Sequence, residues 1–239
     1  MFPYADSLIG QRRFGAVTWI IVGLALLHFL SLNSDQTRTW VLQYLGFIPL
    51  LFSIAPWSHI HSLCTATFVH ADIFHLLGNC LFLWVFGRSL ESLVGSVAIA
   101  AAFPLLGVIG FLCQWALNPD SQTVIIGASG AIATMMGGYL ALFPRARVRM
   151  VFVHLPVFKR FSLPAWVFLF YWIGFQVLSV LIGAGANDHV AYAVHVGAFM
   201  AGAIAAIAWK VSFPLADDRL AEFIPAELSF APVKPVNHT

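Results

Sequence analysis

Charged residues are scarce in this sequence: they make up 9% of its 239 residues, while hydrophobic residues make up 60%. Ordinary soluble domains carry about 25% charged residues, because a surface facing water needs them. So few charges cannot cover the surface of a water-soluble domain, and the composition therefore excludes a soluble enzyme or binding module. It predicts a protein that is embedded in the bilayer. The formal net charge of +2 gives no indication of nucleic-acid binding.

Cysteines and metal-binding patterns are also sparse. Cys64, Cys80 and Cys113 lie in or beside apolar segments, where a small buried side chain is the simplest interpretation. A membrane zinc protease is disfavoured, because no His-Glu-x-x-His motif occurs and no carboxylate within a span accompanies His59, His61, His70 and His75. Paired repeats or a charged pathway, typical of transporters, are absent from the sequence as well. We therefore expect no metal and no other cofactor.

Long apolar runs are what this sequence has in abundance. About 20 apolar residues in a helix cross a hydrocarbon core of about 30 Å. Six runs with few or no charges, bounded by polar, Gly or Pro residues, are predicted spans: 14–32, 73–93, 95–117, 129–143, 164–184 and 190–209. The first run is interpreted as a retained helix, because no small-residue signal-peptide cleavage site follows it. The predicted fold class is an all-α membrane protein with a bundle of six transmembrane helices.

The remaining segments complete the predicted organisation. Residues 1–13 are expected to be a cytoplasmic N-terminal segment, 14–209 the membrane domain, and 210–239 a poorly ordered cytoplasmic tail rich in proline. A seventh apolar stretch, 40–55, is interrupted by glycine and proline. We interpret it as an interfacial element, with an additional span as the alternative.

Basic residues predict the orientation of the spans. With a cytoplasmic N-terminus, eleven of the twelve basic residues fall on the inner side and only Arg38 on the outer side. Ser129 and His195 then lie about 22–24 Å above the basic residues that end their helices, or about 6–8 Å below the outer boundary. Asn79 falls at the same level. Three polar side chains from three spans therefore share one depth inside the membrane.

The segment Gly127-Ala128-Ser129-Gly130 opens the fourth span. Small residues on both sides of a serine at a helix start leave its hydroxyl and the neighbouring N–H groups accessible, as a nucleophile requires. Alternatively, Ser129 only caps the helix and the glycines only permit packing.

His195 lies inside the sixth span, where an ionisable group is costly unless it faces a partner or a watery cavity. A functional histidine is therefore the first interpretation, and a neutral histidine bonded to a backbone carbonyl is the alternative. Small residues on the faces of the fourth and sixth spans would let the two helices approach closely enough for a Ser129–His195 hydrogen bond.

His75 and Asn79 are four residues apart, so both project from one face at the outer end of the second span. Donors in this position could stabilise an oxyanion formed when a serine attacks a carbonyl, and a polar entry to the helix is the alternative.

Together these motifs resemble the rhomboid family of intramembrane serine proteases, in its bacterial six-helix form. The resemblance rests on the order and depth of His75-x-x-x-Asn79, Gly127-x-Ser129-Gly130, His195-x-Gly197-x-Phe199 and Gly87-Arg88-x-x-Glu91. It implies Ser129 as nucleophile, His195 as general base, and His75, Asn79 and the Ser129 N–H as an oxyanion hole, with Gly127 and Gly130 as supporting residues. No cofactor is implied.

The resemblance also implies partners and a location. The substrates would be transmembrane proteins reached through membrane lipid, in a bacterial inner (plasma) membrane, with both termini cytoplasmic. A rhomboid-like protein that binds transmembrane clients without cutting them is the alternative, although such relatives are recognised by loss of the serine or the histidine.

Two departures from the family pattern concern the surroundings of the site. Ala133 replaces a tyrosine that packs on the histidine ring in some members, and His61-Ser62 replaces a Trp-Arg pair. The pattern has no acid to assist the histidine. Asp188 could reach His195 only if the loop before the sixth span folded inward.

Overall fold

The architecture was obtained as a computed structural model, which describes residues 2–8, 14–154, 157–184, 191–213, 220, 222–223 and 225. Asp188, Arg12, Arg13 and most of the predicted 210–239 tail lie outside these described residues. The helices are α1 Ala16–Ser31, α2 Asp35–Leu45, α3 Pro49–Ile54, α4 Pro56–His59, α5 Ser62–Thr65, α6 Ile73–Phe82, α7 Arg88–Val94, α8 Ser96–Leu106, α9 Val108–Leu117, α10 Ser129–Leu142, α11 Ala165–Leu181 and α12 Tyr192–Ser212. The strands are β1 Phe2–Asp6, β2 Arg147–His154 and β3 Val157–Pro164.

Apolar helices stand at all six positions where spans were predicted. Three of them, Ile73–Val94, Ser96–Leu117 and Tyr192–Ser212, are long and apolar enough to cross a membrane. The first is α6 and α7 joined by a π-helical turn, Leu83–Gly87. The other three, α1, α10 and α11, are shorter apolar helices of 16, 14 and 17 residues. The helical membrane architecture is as predicted, and the count of six spans stays a prediction.

The all-α expectation was wrong in one respect, because the structure contains a three-stranded antiparallel sheet in the order β1-β2-β3. Strand β1 belongs to the predicted N-terminal segment 1–13. In β2, Val148 and Met150 are buried while Arg147 and Arg149 are exposed. That alternation has the period of two that a half-buried strand requires. The basic residues at every second position keep this segment from forming a continuous apolar run, so the sequence pattern did not indicate it.

The 40–55 stretch does not form an additional span. It contains the end of α2 and all of α3, which have 11 and 6 residues and are separated by an extended break at Gly46–Ile48. Helices of this length reach about 16 Å and 9 Å, well short of the bilayer core. Its interfacial location stays a prediction.

Helix α10 is the centre of the bundle: ten of its 14 residues are buried. It packs directly on α12, since a Cβ added to Gly137 would lie 1.9 Å from the Phe199 carbonyl oxygen. In the same way a Cβ added to Gly202 would lie 1.9 Å from the Thr134 carbonyl oxygen. Two glycines therefore bring the backbones of α10 and α12 into contact, which aligns the two helices that carry Ser129 and His195.

The end of α10 near Leu142 is here called the sheet end, and a buried carboxylate of β1 bonds to it, while a second buried carboxylate bonds to α1. Asp6 of β1 accepts hydrogen bonds from the Ser89 hydroxyl (2.5 Å) and the Tyr139 hydroxyl (2.8 Å). Glu91 accepts from the backbone N–H groups of Ala16 and Val17, and so caps the start of α1. The opposite end of α10, which starts at Ser129, is called the serine end.

Candidate active site

Ser129 and His195 meet at the serine end. The His195 Nε2 and Ser129 Oγ atoms are 2.8 Å apart, a normal hydrogen-bond distance. Helix α10 begins at Ser129, and Ala128 occupies the cap position with no side-chain cap bond. The alternative in which Ser129 only caps the helix is therefore wrong, because its hydroxyl contacts the histidine instead.

The second ring nitrogen of His195 has a side-chain partner too. Its Nδ1 atom is 2.7 Å from Oε1 of Gln176 on α11, so the ring is bonded to side chains on both sides rather than to a backbone carbonyl. Trp172, one turn earlier on α11, packs its ring on the imidazole with centroids 5.7 Å apart. Ala133 lacks the aromatic ring that packs on the histidine in some members of the family. Here Trp172 supplies that ring contact from a different helix, α11.

His75 and Asn79 lie against the backbone immediately before the serine. Gly127 has a φ of +120°, and a Cβ there would lie 2.6 Å from His75 Nε2 and 3.6 Å from Asn79 Nδ2. Only glycine tolerates both the backbone conformation and the close approach. Asn79 is 7% exposed, and its Nδ2 group has no hydrogen-bond partner among the described residues. Its N–H bonds are therefore available beside Ser129.

Gly130 has a packing role next to the serine. A Cβ added there would lie 3.0 Å from Val194 Cγ1 and 3.5 Å from the Gly107 Cα atom. The serine end is therefore wedged between α12 and the α8–α9 junction. The first N–H groups of α10 have no partner within the helix, and together with the helix dipole they favour negative charge at this point.

These groups open into a cavity of about 1380 Å³, lined by residues that include Ser129, His195, His75, Asn79 and Gln176. Helix α10 is 14 residues long, about 21 Å, which is about 9 Å shorter than a bilayer core. Its serine end therefore lies below one membrane surface if its sheet end lies at the other. The cavity has the space for water that a hydrolysis below the membrane surface would require.

The arrangement agrees with a comparison against known families. The model of the Rhomboid domain family matches residues 57–211, which is more than half of the chain. The chain belongs to the rhomboid family. Rhomboids are membrane proteins and include intramembrane serine proteases, so this chain is an integral membrane protein.

Curated rhomboid proteins are also similar to this chain. The mitochondrial presenilin-associated rhomboid-like protein of Mus musculus is 31% identical over 157 residues, covering 62% of this chain and 37% of that protein. The chloroplastic Rhomboid-like protein 11 of Arabidopsis thaliana is 31% identical, covering 53% and 42%. The mitochondrial Rhomboid protein 1 of Saccharomyces cerevisiae is 28% identical, covering 63% and 42%. The chain spans less than half the length of these relatives.

In this rhomboid an arginine on α2, Arg38, holds the loop before α6. Arg38 on α2 donates hydrogen bonds to the carbonyl oxygens of His70 (3.2 Å) and Ala71 and to the Ser31 hydroxyl (3.2 Å). His61, at the position of the absent Trp-Arg pair, contacts the Tyr44 carbonyl oxygen through Nε2 at 2.8 Å. The loop is therefore clamped by Arg38, the one basic residue that the charge pattern placed on the outer side.

Asp72 fixes the start of α6, the helix that carries His75 and Asn79. Its carboxylate accepts from the N–H groups of His75 (2.9 Å) and Phe74 (2.8 Å). These hydrogen bonds, the His75 one first, lower the pKa of Asp72. The cap sets where the helix begins and so places His75 and Asn79 beside Gly127.

The sequence patterns did not single out Gln176, because an amide is not ionisable and this residue belongs to none of the motifs. It is the one amide in the 17-residue apolar helix α11. A polar side chain within such a helix faces the interior or a cavity more often than lipid, which was the signal available.

Proposed function

We propose that this rhomboid is an intramembrane serine endopeptidase that hydrolyses peptide bonds within or near transmembrane helices of other membrane proteins. The 2.8 Å contact between Ser129 Oγ and His195 Nε2, inside a cavity at the serine end, carries the proposal. Family membership supports it, since rhomboids include serine proteases.

In the first half-reaction the Ser129 hydroxyl adds to the scissile carbonyl carbon while its proton moves to His195 Nε2. The carbonyl oxygen becomes an oxyanion. Donors for it are the Asn79 amide, His75 and the first N–H groups of α10. The C–N bond then breaks, His195 gives its proton to the departing amine, and an acyl ester on Ser129 remains.

In the second half-reaction water attacks the ester carbonyl and passes a proton to His195 Nε2. Collapse of the second oxyanion releases the carboxylic acid product, and His195 returns the proton to Ser129 Oγ. Each half-reaction uses one proton transfer in each direction, so two residues are sufficient for the proton balance.

The substrate would be a transmembrane helix that unwinds locally. A peptide within a helix has its carbonyl hydrogen-bonded, so it must leave the helix before Ser129 can attack. We expect clients with helix-weakening residues in the part of the span at the depth of the serine end. Replacing those residues with Leu should suppress cleavage without weakening insertion; equal cleavage of a uniformly Leu-rich span would contradict this selection rule.

The location and orientation are part of the proposal. We propose an inner (plasma) membrane with both termini cytoplasmic, on the strength of eleven inner basic residues against Arg38. Relatives named for mitochondria and a chloroplast make an organelle the competing location. Reporter fusions at Thr239 and within 118–122 should lie on opposite sides of the membrane, and a result placing both on one side contradicts the topology.

The direct test of catalysis is labelling by a serine-directed fluorophosphonate in detergent, with cleavage of a single-span substrate measured in liposomes. The wild-type chain should be labelled on Ser129 and a Ser129→Ala variant should not. Ser58→Ala, at an exposed serine away from the cavity, is the matched control and should label like the wild type. Client binding without labelling or cleavage would support the non-catalytic alternative.

A further inference from the structure

The contact between His195 and Gln176 has no role in the reaction described above, which uses only the Nε2 side of the ring. Nδ1 lies 2.7 Å from Gln176 Oε1, and Gln176 is 6% exposed. Three helices meet here: α10 supplies the serine, α12 the histidine and α11 the amide. A buried polar side chain in a membrane helix is costly, so its bond to the histidine accounts for its presence.

The chemistry of imidazole makes this contact consequential. A neutral imidazole carries one N–H, on either Nδ1 or Nε2. A carbonyl oxygen can only accept, so an amide oxygen at 2.7 Å favours the tautomer with the hydrogen on Nδ1. Nε2 then presents its lone pair to the Ser129 hydroxyl, as a general base must.

We propose that Gln176 is a positioning residue: it holds His195 in the Nδ1–H tautomer and accepts a hydrogen bond from the imidazolium once Nε2 has taken the serine proton. The proposal rests on the proposed protease function. It makes the site a serine–histidine pair assisted by a neutral amide.

A neutral partner suits this environment. A carboxylate on Nδ1 would stabilise the imidazolium more strongly, but burying its charge in the bundle would carry a large desolvation cost. The amide carries no charge to desolvate. Among the residues that the structure describes, the titratable side chains that line the cavity with His195 are His75, Asp72, Arg38 and Tyr192.

The opposite orientation of the amide makes the opposite prediction. If the NH₂ group of Gln176 faced Nδ1, it would donate, and the ring hydrogen would sit on Nε2 and point at Ser129. Amide orientation is assigned from the hydrogen-bond network, so the tautomer itself is the decisive observable.

The experiment compares Gln176→Leu, Gln176→Glu and the control Leu178→Ala, at a lipid-exposed position of the same helix. Thermal unfolding checks that each variant folds. Fluorophosphonate labelling rates and cleavage kcat and KM are measured as a function of pH. Nitrogen NMR of ¹⁵N-histidine-labelled protein, with the His195 signals assigned by their loss in His195→Ala, reports the tautomer.

We expect Gln176→Leu to lower labelling and kcat by about 10- to 100-fold with little change in KM, because general-base catalysis supplies about 10²- to 10⁴-fold and would be only partly lost. The acid limb of its pH profile should move to lower pH, since the imidazolium loses an acceptor. In Gln176→Glu the acid limb should move to higher pH, with activity retained above it. The wild type should show the Nδ1–H tautomer and Gln176→Leu a mixture.

Unchanged rates, pH profile and tautomer in Gln176→Leu would overturn the proposal, as would an Nε2–H tautomer in the wild type. Equal losses in both Gln176 variants with no pH shift would show a purely structural role. A wild type that is not labelled at all would instead refute the protease function, and the NMR measurement would still decide whether Gln176 sets the tautomer.

Discussion

The two ends of α10 differ in whether the buried polar groups beside them have hydrogen-bond partners. At the sheet end, the Asp6 carboxylate has protein partners in Ser89 and Tyr139, and Glu91 caps α1. At the serine end, the Asn79 amide nitrogen has no partner among the described residues, and no side chain caps α10. Buried polar groups in proteins are nearly always satisfied. The difference fits the proposed function: the sheet end would serve stability, and the serine end would keep donors free for a reacting group.

The largest expected effect is on catalysis at the serine end. Ser129→Ala and His195→Ala should each lower cleavage by about 10⁴-fold or more, and the double variant should be no worse, because the two residues act as one unit. Unfolding temperatures should stay close to the wild type. A double variant far below both single variants in kcat/KM would show that the two act independently.

Next comes Asn79→Ala, which should lower kcat by about 10²- to 10³-fold through loss of one oxyanion donor. Since the amide nitrogen has no hydrogen-bond partner to lose among the residues that the structure describes, the free energy of unfolding should hardly fall. Leu77→Ala, at an exposed position of the same helix, is the control. If Asn79→Ala destabilises the fold but spares kcat in the folded fraction, Asn79 belongs with the structural groups.

At the sheet end, Asp6→Ala should lower stability and leave activity unchanged, the opposite of what is expected for Asn79→Ala. Removing the carboxylate leaves the Tyr139 and Ser89 hydroxyls buried without this acceptor, and hydrogen bonds to a charged group are worth about 1.5–3 kcal/mol. Because two such bonds are lost, we expect the free energy of unfolding to fall by at least about 1.5–3 kcal/mol, measured by reversible denaturation in mixed micelles. Activity per folded molecule should persist. Lost activity at full stability would mean that the two ends are coupled.

The smallest expected effect concerns pH and the Asp72 cap. Its pKa is lowered below the ordinary 3.8 by the His75 and Phe74 N–H groups. A lowered pKa means that its stabilisation is complete above the unfolded value and is lost as pH falls through the folded value. Asp72→Ala should cost at most about 1 kcal/mol, because the side chain is exposed, and should remove this acid-side dependence. A variant that keeps the same dependence below pH 4 assigns it to another carboxylate.

The sequence predicted the parts of this rhomboid that follow from one-dimensional patterns. Apolar runs located the helices, and polar residues within those runs singled out Ser129, His195 and Asn79. Strands β2 and β3 escaped because basic residues interrupt their apolar alternation, although the two strands are neighbours in the sequence. Strand β1 escaped because its partner lies far along the chain, and pairing such as Phe2 with Val151 leaves no local trace. Gln176 escaped for a related reason: its meaning depends on a partner 19 residues away on another helix.

The π-helical turn Leu83–Gly87 determines how one helix can serve both ends of the molecule. Asn79 and Glu91 are twelve residues apart, which in a regular helix would leave their directions about 120° apart. A π turn takes up one additional residue, which reduces the angle to about 20°. Both side chains can therefore point into the bundle, one toward the serine and one toward α1. The π turn therefore fixes the angle about the helix axis between Asn79 and Glu91. Inserting or deleting one residue at this turn would rotate one of these two side chains away from the bundle and toward lipid.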